Sequence, residues 1–275
     1  MSGGIVYKMT GSGNDFLFVD GRQHPLAEWP TERIRRLCHR RLSLGADGLV
    51  VLEPGERPGS VRFHFFNSDG GRAAMCGNAA LCATRLAARL GLAPASGMQL
   101  VTDAAAYETR CVGDGGQRAE IHLGNVDHVD VPEIALAPGE RAIGFATVGV
   151  PHLVVLVDDV EAVDLPKRGR ELRHHAAVGP GGANVNFVSP SASGWAMRTF
   201  ERGVEAETLA CGTGAVASAA FLASSGRVTL PWDVRTASGS VLSVAGSPGG
   251  RGAVLTDALL AGEGRLVFRA VLVAE

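Results

Sequence analysis

The sequence predicts an α/β chain folded as two similar halves, and three observations carry that prediction. Met75-Cys76-Gly77-Asn78-Ala79-Ala80 is echoed by Ala210-Cys211-Gly212-Thr213-Gly214-Ala215. Each copy follows a β-like run, Val61 to Asn67 and Trp195 to Glu201, and opens a small-residue helical segment, Ala79 to Leu90 and Ala215 to Ala223. The 275 residues suffice for two medium domains, each with its own core. Each cysteine is therefore expected where a helix begins. There, outward N–H groups and a partial positive charge receive a carboxylate and favour thiolate over thiol.

Composition narrows the classes. Apolar residues make up 46% and charged residues 20%, ordinary for a globular chain, and a net charge of −2 gives no electrostatic footprint for nucleic acid or a membrane surface. Aromatic content of 5% argues against base-stacking surfaces. No stretch has the basic and apolar pattern of a leader or the apolar length of a membrane span, so a cytoplasmic location is expected. Five cysteines, an odd number in a chain this long, fit reduced thiols. Cys76 and Cys82 lie about 120° apart on a helix and cannot share a ligand face, so no metal is expected. Cys38, Cys82 and Cys111 read as packed small hydrophobes.

Taken in order, Ile5 to Met9 reads as a strand, Gly11-Ser12-Gly13-Asn14-Asp15 as a glycine loop, and Phe16 to Asp20 as a strand. With no helix following the glycines, a tight turn explains them better than a phosphate cradle. Thr31 is expected to cap a helix running to Leu42 with a solvated basic face of Arg33, Arg35, Arg36 and Arg40. A turn at Gly45 to Gly48 leads into Leu49 to Leu52, and a surface loop from Glu53 to Ser60 precedes Val61 to Phe66. Strands follow at Met98 to Thr102, Tyr107 to Val112 and Arg118 to Leu123. The Asp- and Pro-rich stretch from Gly124 to Pro138 is the candidate crossing between domains. Beyond it, Ala142 to Val148 and Leu153 to Val157 are strands broken at Gly149-Val150-Pro151-His152, and Asn184 precedes a strand at Val185 to Val188. Asn67 lies nine residues before Cys76 and Glu201 ten before Cys211, which strengthens the echo. Val228 to Val273 alternates strands with glycine turns.

Two thiols at helix starts point to proton transfer. Removing the hydrogen next to an amino-acid carboxylate builds charge on that carboxylate, and helix N-termini stabilise it without moving. One thiolate takes the proton and the opposite thiol returns one to the other face. Pyridoxal phosphate would need a Schiff-base lysine, and the chain offers only Lys8 and Lys167. No cofactor is expected. His152 and Glu201 are ionisable groups near the mirrored turns, able to set thiol protonation by hydrogen bonding or by charge. Arg202 can clamp a carboxylate bidentately or pair with a nearby acid.

These residues resemble the diaminopimelate epimerase family. The likeness runs through Lys8-Met9, Gly13-Asn14-Asp15-Phe16, Phe66-Asn67-Ser68-Asp69-Gly70, Cys76-Gly77-Asn78, Pro151-His152, Ala183-Asn184, Glu201-Arg202-Gly203 and Glu207 to Gly214. It implies two pseudo-symmetric domains, each a curved, mostly antiparallel sheet around a central helix, with the site in the cleft between them. The implied division is 1–124 with 264–275 against 125–263. Cys76 and Cys211 would be the two bases, tuned by His152 and Glu201. The reacting carboxylate would rest on the N–H groups of Gly77, Asn78, Gly212 and Thr213. Asn14, Asn67, Asn184, Glu201 and Arg202 would hold the rest of a small amino-acid substrate, with Arg202 on its distal carboxylate. The implied reaction is cofactor-independent epimerisation of LL-2,6-diaminopimelate to the meso form, and a homodimer is compatible with it.

Thr10, Val150 and Leu81 depart from the family pattern, which has histidine, asparagine and arginine there, and the segment Gly203 to Ala206 carries an extra residue. Val150 and Leu81 motivate an alternative, a racemase for another amino acid such as histidine. A thiol–disulfide redox protein is more remote, because the C-x-x-C pattern is missing. A non-catalytic binding module would leave both thiols without a role.

Overall fold

The computed structural model of the chain describes residues 4–113, 117–249 and 253–273. In chain order the elements begin with β1 (Ile5–Gly11), β2 (Asn14–Asp20), α1 (Thr31–Cys38), β3 (Gly48–Pro54), β4 (Ser60–Asn67), β5 (Arg72–Ala73), α2 (Gly77–Arg89), β6 (Met98–Val101), β7 (Ala106–Val112) and β8 (Arg118–Val126). They continue with β9 (Glu140–Val148), β10 (Val150–Val157), α3 (Leu165–Arg173), β11 (Asn184–Ser191), β12 (Gly194–Glu201), β13 (Ala206–Thr208), α4 (Gly212–Ser224), β14 (Trp232–Arg235), β15 (Val241–Pro248), β16 (Leu255–Glu263) and β17 (Arg265–Val271). The result is a sheet-dominated α+β fold. Of the stretch Val228 to Val273, residues 250–252 lie outside the described residues.

Contacts divide the chain into two compact units, Met1–Ile121 with Ala261–Glu275, and His122–Leu260. The divisions fall inside β8 and β16, and residues 124–138 lie within the second unit.

In the first unit β1 and β2 form an antiparallel hairpin. Its turn is Ser12-Gly13, with φ of 53° and 98°. Two successive positive φ angles give the twist that two-residue hairpins need, which accounts for the glycine loop without a ligand. β2 pairs in parallel with β3 across α1, and β4 with β6 across α2, while β3–β4, β6–β7 and β7–β8 are antiparallel. β17 returns antiparallel to β1.

The second unit repeats this order. β9–β10 is antiparallel, β10–β11 parallel across α3, β11–β12 antiparallel, β12–β14 parallel across α4, and β14–β15 antiparallel. Even the register repeats: Phe16↔Gly48 and Val50↔Phe65 in the first unit match His152↔Asn184 and Asn186↔Thr199 in the second.

The central strands of each unit, β2 and β3 in the first and β10 and β11 in the second, bury both faces. In the second unit Ile143, Leu153, Val155, Val185, Phe187 and Phe200 pack on Leu165 and Leu172 of α3. Strand alternation sends the intervening residues to the opposite face, where α4 lies against β9, β10, β11 and β15. α4 is buried on all sides from Gly214 to Leu222, as befits a helix of small and apolar residues enclosed by a sheet. α1 covers one face of the first unit through Ile34, Leu37 and Cys38. α2, buried from Asn78 to Thr84, packs against β1, β2, β3, β4, β6 and β7.

Three expectations need correction. The helix expected over Thr31 to Leu42 ends at Cys38, and its cap position is Pro30 rather than Thr31. Arg40 lies beyond it, and its exposed side chain also pairs with Asp15 (2.5 Å) and Asp47 (2.6 Å). α3 was not anticipated, although Asp164 accepts a hydrogen bond from the Lys167 N–H (3.3 Å) and Pro166 sits in the first turn, both ordinary helix-start signals. The two small-residue helices start at Gly77 and Gly212, earlier than expected. Among the described residues no helix is long and apolar enough to cross a membrane.

Candidate active site

Cys76 and Cys211 are the cap residues of α2 and α4. Both have extended backbones, φ −142°, ψ 121° and φ −128°, ψ 107°. Each carbonyl already accepts the first helical bond, from Ala80 N–H (2.9 Å) and Ala215 N–H (3.0 Å). A short strand, β5 or β13, ends three residues before each cysteine, and Gly77-Asn78 or Gly212-Thr213 are the first two helical residues after the cysteine. First-turn N–H groups have no acceptor within their own helix, and the dipole adds about half a positive charge there. Cys211 is 7% exposed and Cys76 is half-buried. The Thr213 hydroxyl lies 3.8 Å from the Cys211 sulfur.

The other thiols have different surroundings. Burial pushes Cys38 up to about 11 and raises Cys82 well above an ordinary thiol. Cys111 leans its thiol toward the Thr84 carbonyl (3.9 Å). All five carry thiols rather than disulfides. Lys8, the lysine beside the glycine turn, is engaged with Asp15 (2.5 Å) and with the Gly45 carbonyl.

Around α2, Asn14 donates to Asp47 (3.1 Å) and accepts from the Asn78 amide (2.8 Å), which ties the hairpin turn to the first cysteine turn. Asn67 ends β4 with an exposed side chain, and its backbone closes the following turn with Gly70 and Gly71. Leu81 is fully buried inside α2, so it faces the core.

Around α4, His152 and Asn184 are direct neighbours on β10 and β11. Asn184 accepts from the Arg202 N–H (2.8 Å), fixing the chain as it leaves β12. Among the described residues the Arg202 guanidinium has no carboxylate partner. Glu201 ends β12, and burial raises its pKa above the ordinary carboxylate value. His152 is completely buried, and burial, with the charge of Arg202, pushes its pKa down to about 3. It is therefore neutral at physiological pH.

Two residues around His152 escaped sequence reasoning. Asn186 is fully buried and donates to the Leu153 carbonyl (3.0 Å) and to His152 Nδ1 (3.2 Å), while the Thr199 hydroxyl donates to Asn186 Oδ1 (3.0 Å). The available signal was the alternation in Asn184-Val185-Asn186-Phe187, which puts two asparagines on one face of an otherwise apolar strand.

Comparison with known proteins places these turns in context. The diaminopimelate epimerase family model matches residues 6–129 and 144–258. The chain belongs to the diaminopimelate epimerase family. It is 48% identical over 273 residues to the diaminopimelate epimerase of Gemmatimonas aurantiaca, covering 95% of this chain and 96% of that one. It is 39% identical to that of Aquifex aeolicus, covering 86% and 88%. Among solved structures, a Bacillus anthracis phenazine biosynthesis protein of the PhzF family aligns over 100% of both chains at 13% identity with a TM-score of 0.76. A hydroxyproline epimerase from Agrobacterium vitis aligns over 98% of this chain and 93% of its own at 18% identity and a TM-score of 0.65. These distant structures share the family's fold.

Proposed function

We propose that the chain epimerises LL-2,6-diaminopimelate to meso-diaminopimelate by proton exchange between two thiols, Cys76 and Cys211. The family and the relatives named above carry the reaction, an isomerisation that feeds lysine and peptidoglycan precursor synthesis and uses no pyridoxal phosphate. The paired cap positions of the two cysteines support the division of labour.

In the forward step one cysteine thiolate takes the α-hydrogen as a proton. The C–H bond breaks, an S–H bond forms, and the electron pair spreads into the α-carboxylate. Helix starts at Gly77-Asn78 and Gly212-Thr213 supply fixed dipoles for that growing charge, which costs no reorganisation at the moment of transfer. The second thiol then gives its proton to the opposite face, forming the new C–H bond and becoming the thiolate. The stereocentre inverts, and the two sulfurs have exchanged protonation states.

Within this scheme Arg202 takes the distal carboxylate of the substrate as a bidentate fork. Asn14, Asn67 and Asn184 hold the remaining polar groups, Glu201 and His152 set thiol protonation, and closure around the substrate excludes water. A cytoplasmic setting and a homodimer belong to the same scheme, and sedimentation measures the second.

The test is α-hydrogen exchange in deuterated water against a panel of amino acids. Exchange and inversion in diaminopimelate, lost in Cys76→Ala and in Cys211→Ala, are expected. Exchange in histidine without exchange in diaminopimelate would overturn the substrate, and activity surviving both substitutions would overturn the mechanism.

A further inference from the structure

We infer that Asn186 is a positioning residue that holds His152 as the Nε2–H tautomer, making this histidine a fixed hydrogen-bond donor to the reacting anion and never a proton acceptor. The inference rests on the two-thiol scheme for what the donor serves, but the tautomer follows from local chemistry. A backbone carbonyl only accepts, so the Asn186 atom 3.0 Å from the Leu153 oxygen is the amide nitrogen. The same nitrogen lies 3.2 Å from His152 Nδ1, which must therefore present a lone pair. Turning the amide over would set two acceptors against each other at Leu153 and would exchange the Oδ1 that accepts from Thr199. The proton of the neutral ring is left on Nε2, a buried atom with no hydrogen-bond partner among the described residues.

The internal repeat shows that packing alone does not demand this trio. By register, His152, Asn186 and Thr199 correspond to Phe16, Val50 and Phe65 in the first unit. There Phe16 and Phe65 meet edge to face at 6.0 Å, a purely apolar solution at the same three places. The polar version carries the cost of burying an imidazole, an amide and a hydroxyl that are 0%, 0% and 2% exposed. The helix next to it has adapted as well. Gly214 stands where the first turn has Ala79, and a Cβ there would lie 2.1 Å from Asn186 Oδ1 and 3.1 Å from the Cys211 sulfur.

Burial and the charge of Arg202 keep the ring neutral, and its strand neighbours Ala146 and Asn184 carry no charge. Of the two means by which His152 could act on a thiol, charge is thus absent and donation remains. A neutral imidazole N–H stabilises a thiolate or a carboxylate without competing for the proton in transit.

Two measurements test the inference on the intact protein. In the wild type labelled with ¹⁵N-histidine, two-bond ¹⁵N–¹H correlation, with His152 assigned by its disappearance in His152→Gln, should show a protonated Nε2 and a bare Nδ1 from pH 5 to 9. A protonated Nδ1, or a ring that titrates in that range, overturns the inference. In activity, Asn186→Val, which copies Val50, should lower kcat by about 10- to 100-fold with KM nearly unchanged. His152→Gln, whose side-chain amide still donates, should stay within about tenfold of wild type, whereas His152→Phe, which copies Phe16, should lose far more. Equal loss in the glutamine and phenylalanine variants would contradict donation. Failure of the thiol scheme would appear separately, as activity surviving Cys76→Ala and Cys211→Ala, and would leave the nitrogen spectrum unaffected.

Discussion

The Cβ that Gly214 lacks would lie 2.1 Å from Oδ1 of Asn186. Gly214 is a helical residue three positions after Cys211, so its missing side chain links the second cysteine turn to the polar trio behind it. Gly214→Ala gains about 1 kcal/mol of helix propensity and loses about 1–3 kcal/mol to overpacking, so net stability should fall by no more than about 2 kcal/mol. Displacement of Asn186 should nonetheless reduce kcat by about 100-fold. Thermal unfolding and steady-state kinetics on the same preparation check both halves; normal kcat would show that the amide has room to move.

Alkylation should separate the thiols. With Cys38 pushed up to about 11 and Cys82 raised well above an ordinary thiol by complete burial, both are almost entirely thiol at pH 8. At roughly one thiolate in a thousand, Cys38 should stay unmodified while activity is lost. Peptide mapping after brief iodoacetamide treatment should find label at Cys76, the half-buried cap residue, in step with inactivation.

Arg202 has no carboxylate partner among the described residues, which leaves its fork for a substrate anion. Arg202→Met should raise KM for diaminopimelate by about tenfold or more, because a hydrogen bond to a charged group is worth about 1.5–3 kcal/mol, with a smaller effect on kcat. An unaltered KM would contradict the assignment of Arg202 to the distal carboxylate.

Burial of His152 fixes a pH dependence of stability. Its folded pKa, about 3, lies below the ordinary 6.5, so its contribution is complete above pH 6.5 and is lost as the pH falls from there toward 3. The slope is about 1.4 kcal/mol per pH unit over that window. Glu201 acts in the opposite sense. Burial raises its pKa, so its contribution is present below 4.5 and is lost as the pH rises through its folded value. Denaturant unfolding between pH 4 and 7 should therefore show a flatter acid limb in His152→Gln than in the wild type.

Much of this architecture could be read from the chain. The cysteine echo located both helix starts because a small-residue helix after a β run leaves few other geometries, and period-two alternation found most of the strands. Arg40 misled the helix boundary, since its ion pairs with Asp15 and Asp47 come from residues distant in sequence. α3 was hidden because its apolar stripe is only Leu165 and Leu172 between basic residues. Asn186 and Thr199 were illegible for a different reason. Their meaning comes from a cross-strand pair and a parallel neighbour, and only register reveals that Val50 and Phe65 hold the same places in the first unit.

The two-thiol claim is tested most directly by following LL-diaminopimelate in deuterated water through the first few per cent of turnover. Two opposed bases predict that each meso molecule formed carries deuterium at the inverted carbon while the unreacted LL pool keeps its hydrogen. Newly formed meso product that retains the original hydrogen would show one group removing and returning the same proton, and would contradict the assignment of Cys76 and Cys211 to opposite faces.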